Sequence, residues 1–197
     1  KVREFPALQL GNEMQQLSAL AGGVQEMFAP GTPPIAGMVK DFALLDLPFL
    51  VDTPEQADAL LDGPFGQALL AKLPEKGLIG LAFWENGFRH VTNSKRPIKR
   101  LEDLEGLKIR VQQNPVFIET FKALKTNPVP MSFAELYGAL ESKALDAQEN
   151  PYLITRSAKL NDGKHRQKAR QRKSARVLGA YDHREAFHRA QRDRGNP

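Results

Sequence analysis

From Leu101 to Pro151 the sequence alternates strand-length apolar runs with helix-start signals, and this alternation restricts the chain to the α/β class. Gly106 supplies a turn, and the apolar, β-branched run Leu107 to Gln112 reads as a buried strand. Asn114-Pro115 opens a helix that extends to about Lys125, because Asn accepts from the first free backbone N–H groups and Pro costs nothing where no N–H is needed. Pro128 to Met131 is a brief strand. Ser132-Phe133-Ala134-Glu135 spells a capping box, which predicts a helix from Phe133 to about Ser142 with Phe133, Leu136, Tyr137 and Leu140 on one face. Leu145 to Gln148 is a strand leading into Glu149-Asn150-Pro151, so the sheet is expected to be mainly parallel.

The first half is less regular. Val2 to Leu10 alternates like a short strand entering a turn at Gly11. Asn12 to Leu20 fits one helical face and ends at Gly22-Gly23. Val24 to Phe28 reads as a strand, residues 29–34 as a Pro/Gly loop, and Asp46 to Leu50 as a loop or edge strand broken by Pro48. Thr53-Pro54-Glu55-Gln56 starts a helix to about Leu61, and a second follows from Phe65 to Leu73. Leu78 to Trp84, unbroken in its apolarity, reads as a strand buried on both faces, Arg89 to Thr92 as extended chain, and Leu101 to Glu105 as a helical turn.

Three segments read as parts of one site: Trp84 to Arg89, Gly106 to Val111 and Asp146 to Pro151, which supply Arg89, Arg110 and Asn150. A guanidinium at the end of a buried strand needs a partner. A carboxylate suits it best, since the planar fork of donors matches two carboxylate oxygens and the charge-assisted pair is stronger than a neutral hydrogen bond.

Composition narrows the alternatives. The 197 residues are 41% hydrophobic and 26% charged, ordinary values for a globular chain. No window approaches the roughly 18 consecutive apolar residues of a membrane span. Without cysteine there are no disulfides, thiolate nucleophiles or thiolate metal sites. His90, His165, His183 and His188 lack the spacing of a helical zinc site, so neither metal nor cofactor is expected. The formal charge of +5 is uneven: residues 161–197 hold 11 of the 28 Lys and Arg and 4 of the 23 Asp and Glu, a net of +7, which leaves −2 for residues 1–160.

The quoted stretches resemble a known family, the periplasmic substrate-binding proteins of tripartite ATP-independent (TRAP) transporters, in their DctP-like dicarboxylate-type group. The resemblance is carried by Leu10-Gly11-Asn12-Glu13, Asp46-Leu47-Pro48-Phe49, Leu61-Asp62-Gly63, Trp84 to Arg89, Thr92-Asn93-Ser94, Arg96-Pro97-Ile98, Gly106 to Val111, Glu135-Leu136-Tyr137 and Gln148 to Pro151, in the family's order over about residues 2–160. It implies a two-lobed, hinge-closing α/β receptor, here incomplete, with residues 1–88 in the first lobe and 89–160 in the second. It also implies a periplasmic location at the outer face of the inner membrane, a small organic acid as ligand, and the TRAP membrane subunits as partners. Neither catalysis, specific nucleic-acid binding nor direct membrane insertion belongs to that picture.

By the same resemblance Arg110 clamps the ligand carboxylate, Arg89 is a second basic contact, Asn150 hydrogen-bonds the ligand, Phe133 packs a ring against it, and Glu13 and Trp84 stand on the cleft wall. Structural alternatives remain open: an ion pair of Arg110 with Glu135 or Glu149, a surface salt bridge for Arg89, a turn role for Asn150 and a core role for Phe133. A monocarboxylate would satisfy Arg110 alone, while a second acidic group could engage Arg89.

Departures from the family are equally specific. Lys125 and Ala147 stand where it usually has glycine, an expected cost of about 1 kcal/mol each if those positions need positive φ. The family's signal peptide, first strand and long helix do not precede Lys1, and residues 161–197 do not match its continuation, as in a truncated or frameshifted member. That basic segment is expected to be disordered, and at best to bind anionic surfaces or nucleic acid non-specifically. An enzymatic role for Glu85, Asp103, Glu135 and Glu149 lacks any catalytic motif to support it.

Overall fold

The structure, a computed structural model, describes residues 2–6, 8–160 and the backbone of 176–178. The N-terminal half is helical. α1 (Glu13–Ala21) starts on Asn12, whose side chain accepts from the Gln15 N–H while Gln15 returns a bond to the Asn12 N–H. α2 (Thr32–Ala36) and a 3₁₀ segment (Lys40–Asp46) follow, then α3 (Pro54–Asp62), capped by Thr53, and α4 (Pro64–Leu70). Leu17, Ala36, Val39, Phe42, Leu69, Leu73 and Leu78 form the core that these elements enclose.

The second half builds the sheet: β1 (Arg89–Asn93), β2 (Lys108–Val111), α5 (Pro115–Ala123), β3 (Asn127–Pro130), α6 (Phe133–Glu141), β4 (Ala147–Asn150) and α7 (Tyr152–Ser157). With β5 (Arg176–Leu178) the order across the sheet is β3-β2-β4-β1-β5. β2 pairs parallel with β3 and β4, β1 pairs antiparallel with β4, and β5 antiparallel with β1. Four of the five strands therefore share one direction, and β1 opposes them. Val91, Leu104, Leu107, Ile109, Val111, Phe117, Phe121 and Ala147 fill the space between sheet and helices. A smaller cluster of Leu136, Leu140, Leu145 and Leu160 lies under α6.

Local signals placed α5 and α6 well. Asn114 Oδ1 accepts from the Val116 N–H at 2.8 Å, and Ser132 and Glu135 close the capping box. Tyr137, expected on the buried face of α6, is 43% exposed.

Three expected strands do not form. Residues 2–6 are irregular and lead to a turn at residues 8–10, and the chain after α1 folds back so that the N–H groups of Val24 and Gln25 donate to Ala19 O. Leu78 to Trp84 is irregular and pairs with no strand among the described residues: Leu78 is buried, whereas Ile79, Leu81 and Trp84 are 82%, 75% and 90% exposed. An apolar run becomes a strand only when another strand supplies its ladder, and none of the described residues does so here. Conversely, β5 was not legible in the sequence, and the remainder of the basic segment 161–197 lies outside the described residues.

Three helices end in a lysine with positive φ: Lys125 (56°), Lys143 (59°) and Lys159 (53°). Lys125 thus holds the left-handed conformation that glycine adopts without strain. Ala147 differs: it lies inside β4, fully buried and paired with Asn93 and Ile109, so its methyl is a core contact at no backbone cost.

Candidate functional site

The parallel unit brings the C-terminal ends of β2, β3 and β4 to one edge, the place where open α/β sheets bind ligands. Arg110 lies there, opposite Val129 on β3 and Gln148 on β4, and is 3% exposed. Its Nε donates to Met131 O at 2.9 Å. Among the described residues no carboxylate forms an ion pair with it, so the expected alternatives of Glu135 or Glu149 as direct partners do not apply. Burial lowers its pKa to about 10, against the favourable field of Glu149 and with the unfavourable field of Arg89. It remains charged at neutral pH, a desolvated cation with no ion-pair partner among the described residues, favoured only by the fields of Glu149, Glu13 and Glu135.

Arg110 opens onto a small concavity, continuous with solvent and lined also by Glu13, Met14, Pro34, Gln112, Gln113, Met131 and Ser132. Glu13 reaches it from the first turn of α1, and its Oε1 accepts from the Phe133 N–H at 3.2 Å, across a separation of 120 residues. Phe133 itself is half-buried at the margin of the core cluster under α6, so its ring serves that core.

Arg89 and Asn150 belong to a buried network beside this pocket. Arg89 forms a forked ion pair with Glu149: Nε donates to Oε2, and Nη2 donates to Oε1 at 2.9 Å. The same Nη2 also donates to Glu149 O and to Asn150 Oδ1, and the guanidinium stands 5.5 Å from the centre of the Phe117 ring. This corrects the surface salt bridge considered for Arg89, since the pair is buried on both sides. Asn150 Nδ2 donates to Gln148 Oε1 at 2.6 Å, and Gln148 Nε2 donates to Thr92 Oγ1 and Thr155 Oγ1. Asn150 is thus a network residue rather than a turn residue. Trp84 stands apart, its side chain exposed on the unpaired segment.

Sequence reasoning missed one functional-looking group. Asp46 is buried where the 3₁₀ segment meets α5: Oδ1 accepts from Thr32 Oγ1 at 2.6 Å and Oδ2 from Asn114 Nδ2 at 2.9 Å. Burial raises its pKa to about 6, although Thr32, Arg89 and Asn114 oppose the shift. The only local signal was an acid inside an apolar run, which the proline at position 48 made look like a loop.

The description "Bacterial extracellular solute-binding protein, family 7", the DctP family, matches residues 1–164. The chain belongs to this family. It is 47% identical, with a TM-score of 0.81, to the sugar acid binding protein of Advenella mimigardefordensis in complex with galactonate, covering 82% of this chain and 52% of that one. It is 45% identical to the 2,3-diketo-L-gulonate-binding periplasmic protein of Escherichia coli (strain K12), over 81% of this chain and 48% of the relative. It is 35% identical to a C4-dicarboxylate-binding periplasmic protein of Rhodobacter capsulatus, over 82% of this chain and 48% of the relative. Solved structures of TRAP periplasmic solute-binding proteins match as well, in agreement with the TRAP resemblance and the α/β class. This DctP-family chain spans about half the length of the curated relatives it matches. The family is one of extracellular solute receptors, and among the described residues no helix is long and apolar enough to cross a membrane.

Proposed function

We propose that this chain carries the acid-clamping part of a periplasmic solute receptor that binds a small organic acid and delivers it to the membrane subunits of a TRAP-type secondary transporter at the outer face of the inner membrane. The observation that carries the reading is Arg110: a buried cation at the C-terminal end of β2, facing a concavity, with no ion-pair partner among the described residues. A ligand carboxylate supplies what the fold withholds, because a bidentate, charge-assisted pair in a desolvated setting is much stronger than the same pair in water.

Arg89, Glu149 and Asn150 act beside it as a rigid wall. Arg89 is held in place by Glu149 and Asn150. The proposed contacts are therefore Arg110 as anchor, Glu13 on the wall, and Arg89 and Asn150 in support. Phe133 contributes its backbone N–H and Trp84 has no role in the pocket.

Titration calorimetry with a panel of small organic acids tests the reading. Wild-type protein is expected to show saturable binding of at least one acid, and Arg110→Ala is expected to weaken it about a hundredfold or more, as for loss of a buried charge-assisted pair. Unchanged affinity in Arg110→Ala would overturn it.

A further inference from the structure

The pocket over Arg110 has walls from two distant parts of the chain. Pro34 comes from α2 in the helical half, and Gln112 and Gln113 from the bend that follows β2. A span of 81 residues lies between Pro33 and Asn114, the immediate neighbours of these wall residues, so the spacing of the two walls has to be set by contacts across them.

Asp46 makes such a contact with each wall. One carboxylate oxygen accepts from the Thr32 hydroxyl at 2.6 Å, at the first residue of α2. The other accepts from Asn114 Nδ2 at 2.9 Å, and the same Nδ2 lies 3.5 Å from Pro33 O. Asn114 is itself fixed: its Oδ1 accepts from the Val116 N–H as the cap of α5, and its N–H donates to Gln112 O at 2.8 Å, which folds the bend back on itself. A buried carboxylate of this kind is a poor source of stability, since desolvation opposes its charge and the Thr32 and Asn114 donors offset only part of that cost. What it supplies is position: two charge-assisted bonds in fixed directions from one rigid group.

We infer that Asp46 is a positioning residue for acid binding, a tie between Thr32 and the Asn114 cap that holds Pro34 and the Gln112–Gln113 bend at the spacing that encloses a ligand on Arg110. This rests on the reading of Arg110 as the anchor. Asp46 itself touches no ligand. With the tie cut, the two walls spend less time at the binding spacing, and affinity falls by the fraction of time lost. The loss falls chiefly on dissociation, because a bound acid leaves sooner when the walls part.

The test cuts the tie at Asn114, where the cap of α5 can be kept. Asn114→Asp retains a capping oxygen but sets a carboxylate against Asp46, and Asn114→Ser retains a cap too short to reach it. The double variant Asp46→Asn with Asn114→Asp exchanges donor and acceptor and restores the bond. Thermal unfolding establishes that each variant is folded, and calorimetry and stopped-flow kinetics measure binding of galactonate, 2,3-diketo-L-gulonate and succinate. Asn114→Asp and Asn114→Ser are each expected to weaken a bound acid about tenfold or more, the size of one lost hydrogen bond to a buried charged group, mainly through faster dissociation. The double variant is expected to return to within about threefold of wild type, as coupled neighbours do. A group that only fills the core would lower the unfolding midpoint without moving the affinity of the folded protein. Unchanged affinity in Asn114→Asp and Asn114→Ser, or a weakening that Asp46→Asn does not reverse, therefore overturns the tie. If Arg110→Ala abolishes binding in that same case, the anchor stands and only the tie fails. Undiminished binding in Arg110→Ala, or no binding of any of the three acids by the wild type, overturns the anchor and the tie with it.

Discussion

Arg89 and Glu149 form a forked ion pair between β1 and β4, with both side chains almost wholly out of water. The register sets Glu149 opposite Val91, so Arg89 meets it diagonally and also reaches the neighbouring Asn150. The pair therefore fixes two things at once: the antiparallel seam that attaches β1 to the parallel unit, and the orientation of the Asn150 amide.

Glu149→Ala is expected to cost about 3–5 kcal/mol, because it leaves the Arg89 guanidinium buried with only neutral partners. Urea denaturation followed by far-ultraviolet circular dichroism measures this. A loss below about 1 kcal/mol would mean that Arg89 finds water or another anion once Glu149 is gone.

Arg110 makes the opposite prediction. It is buried without an ion pair among the described residues, so Arg110→Met should leave stability unchanged or raise it by up to about 3 kcal/mol, the size of its pKa depression. Thermal unfolding distinguishes it from Arg89, and an organic acid that raises the wild-type midpoint should have no effect on Arg110→Met.

Asp46 predicts a pH dependence. Its pKa rises from 3.8 to about 6 on folding, so between those values the folded chain holds a proton that the unfolded chain has released. Its contribution to stability is then complete below the unfolded value and is lost as the pH rises through about 6, a change of about 3 kcal/mol. Arg89 and Glu149 are the charged groups that act on it, Arg89 lowering and Glu149 raising its pKa. Asp46→Asn should remove that slope and stabilise the chain at neutral pH. An unaltered slope in unfolding experiments between pH 4 and 7 would assign the titration elsewhere.

Lys125 holds positive φ at the end of α5, with its carbonyl accepting from Gly106 and its ammonium 3.4 Å from Glu105. Relief of the backbone strain outweighs loss of an exposed ion pair, so Lys125→Gly should stabilise by about 0.5–1 kcal/mol. A chemical denaturation midpoint that falls instead would show that the lysine side chain matters more than its backbone.

Elements specified within a few residues were readable in advance. Asn114 and Ser132 start α5 and α6 because each cap is a hydrogen bond to a backbone group two or three residues away. The strands β2 and β4 follow from runs whose side chains are buried on both faces. Leu78 to Trp84 misled for a related reason: its composition is that of a strand, but a ladder is a property of two segments, and no described segment pairs with it. The burial of Arg110 was legible because a guanidinium in a strand-like apolar run is a local anomaly, and the exposure of Trp84 was not, because an aromatic residue carries no local mark of where it will face.

The sequence alone determined the α/β class and the order of β2, α5, β3, α6 and β4. The tertiary structure decided which buried arginine is ion-paired. Glu149 neutralises Arg89 across 60 residues, and Glu13 meets the start of α6 across 120. Such pairings depend on the packing of helices against the sheet, which sets burial and hence the cost of each unpaired charge, and no spacing within the chain encodes that cost.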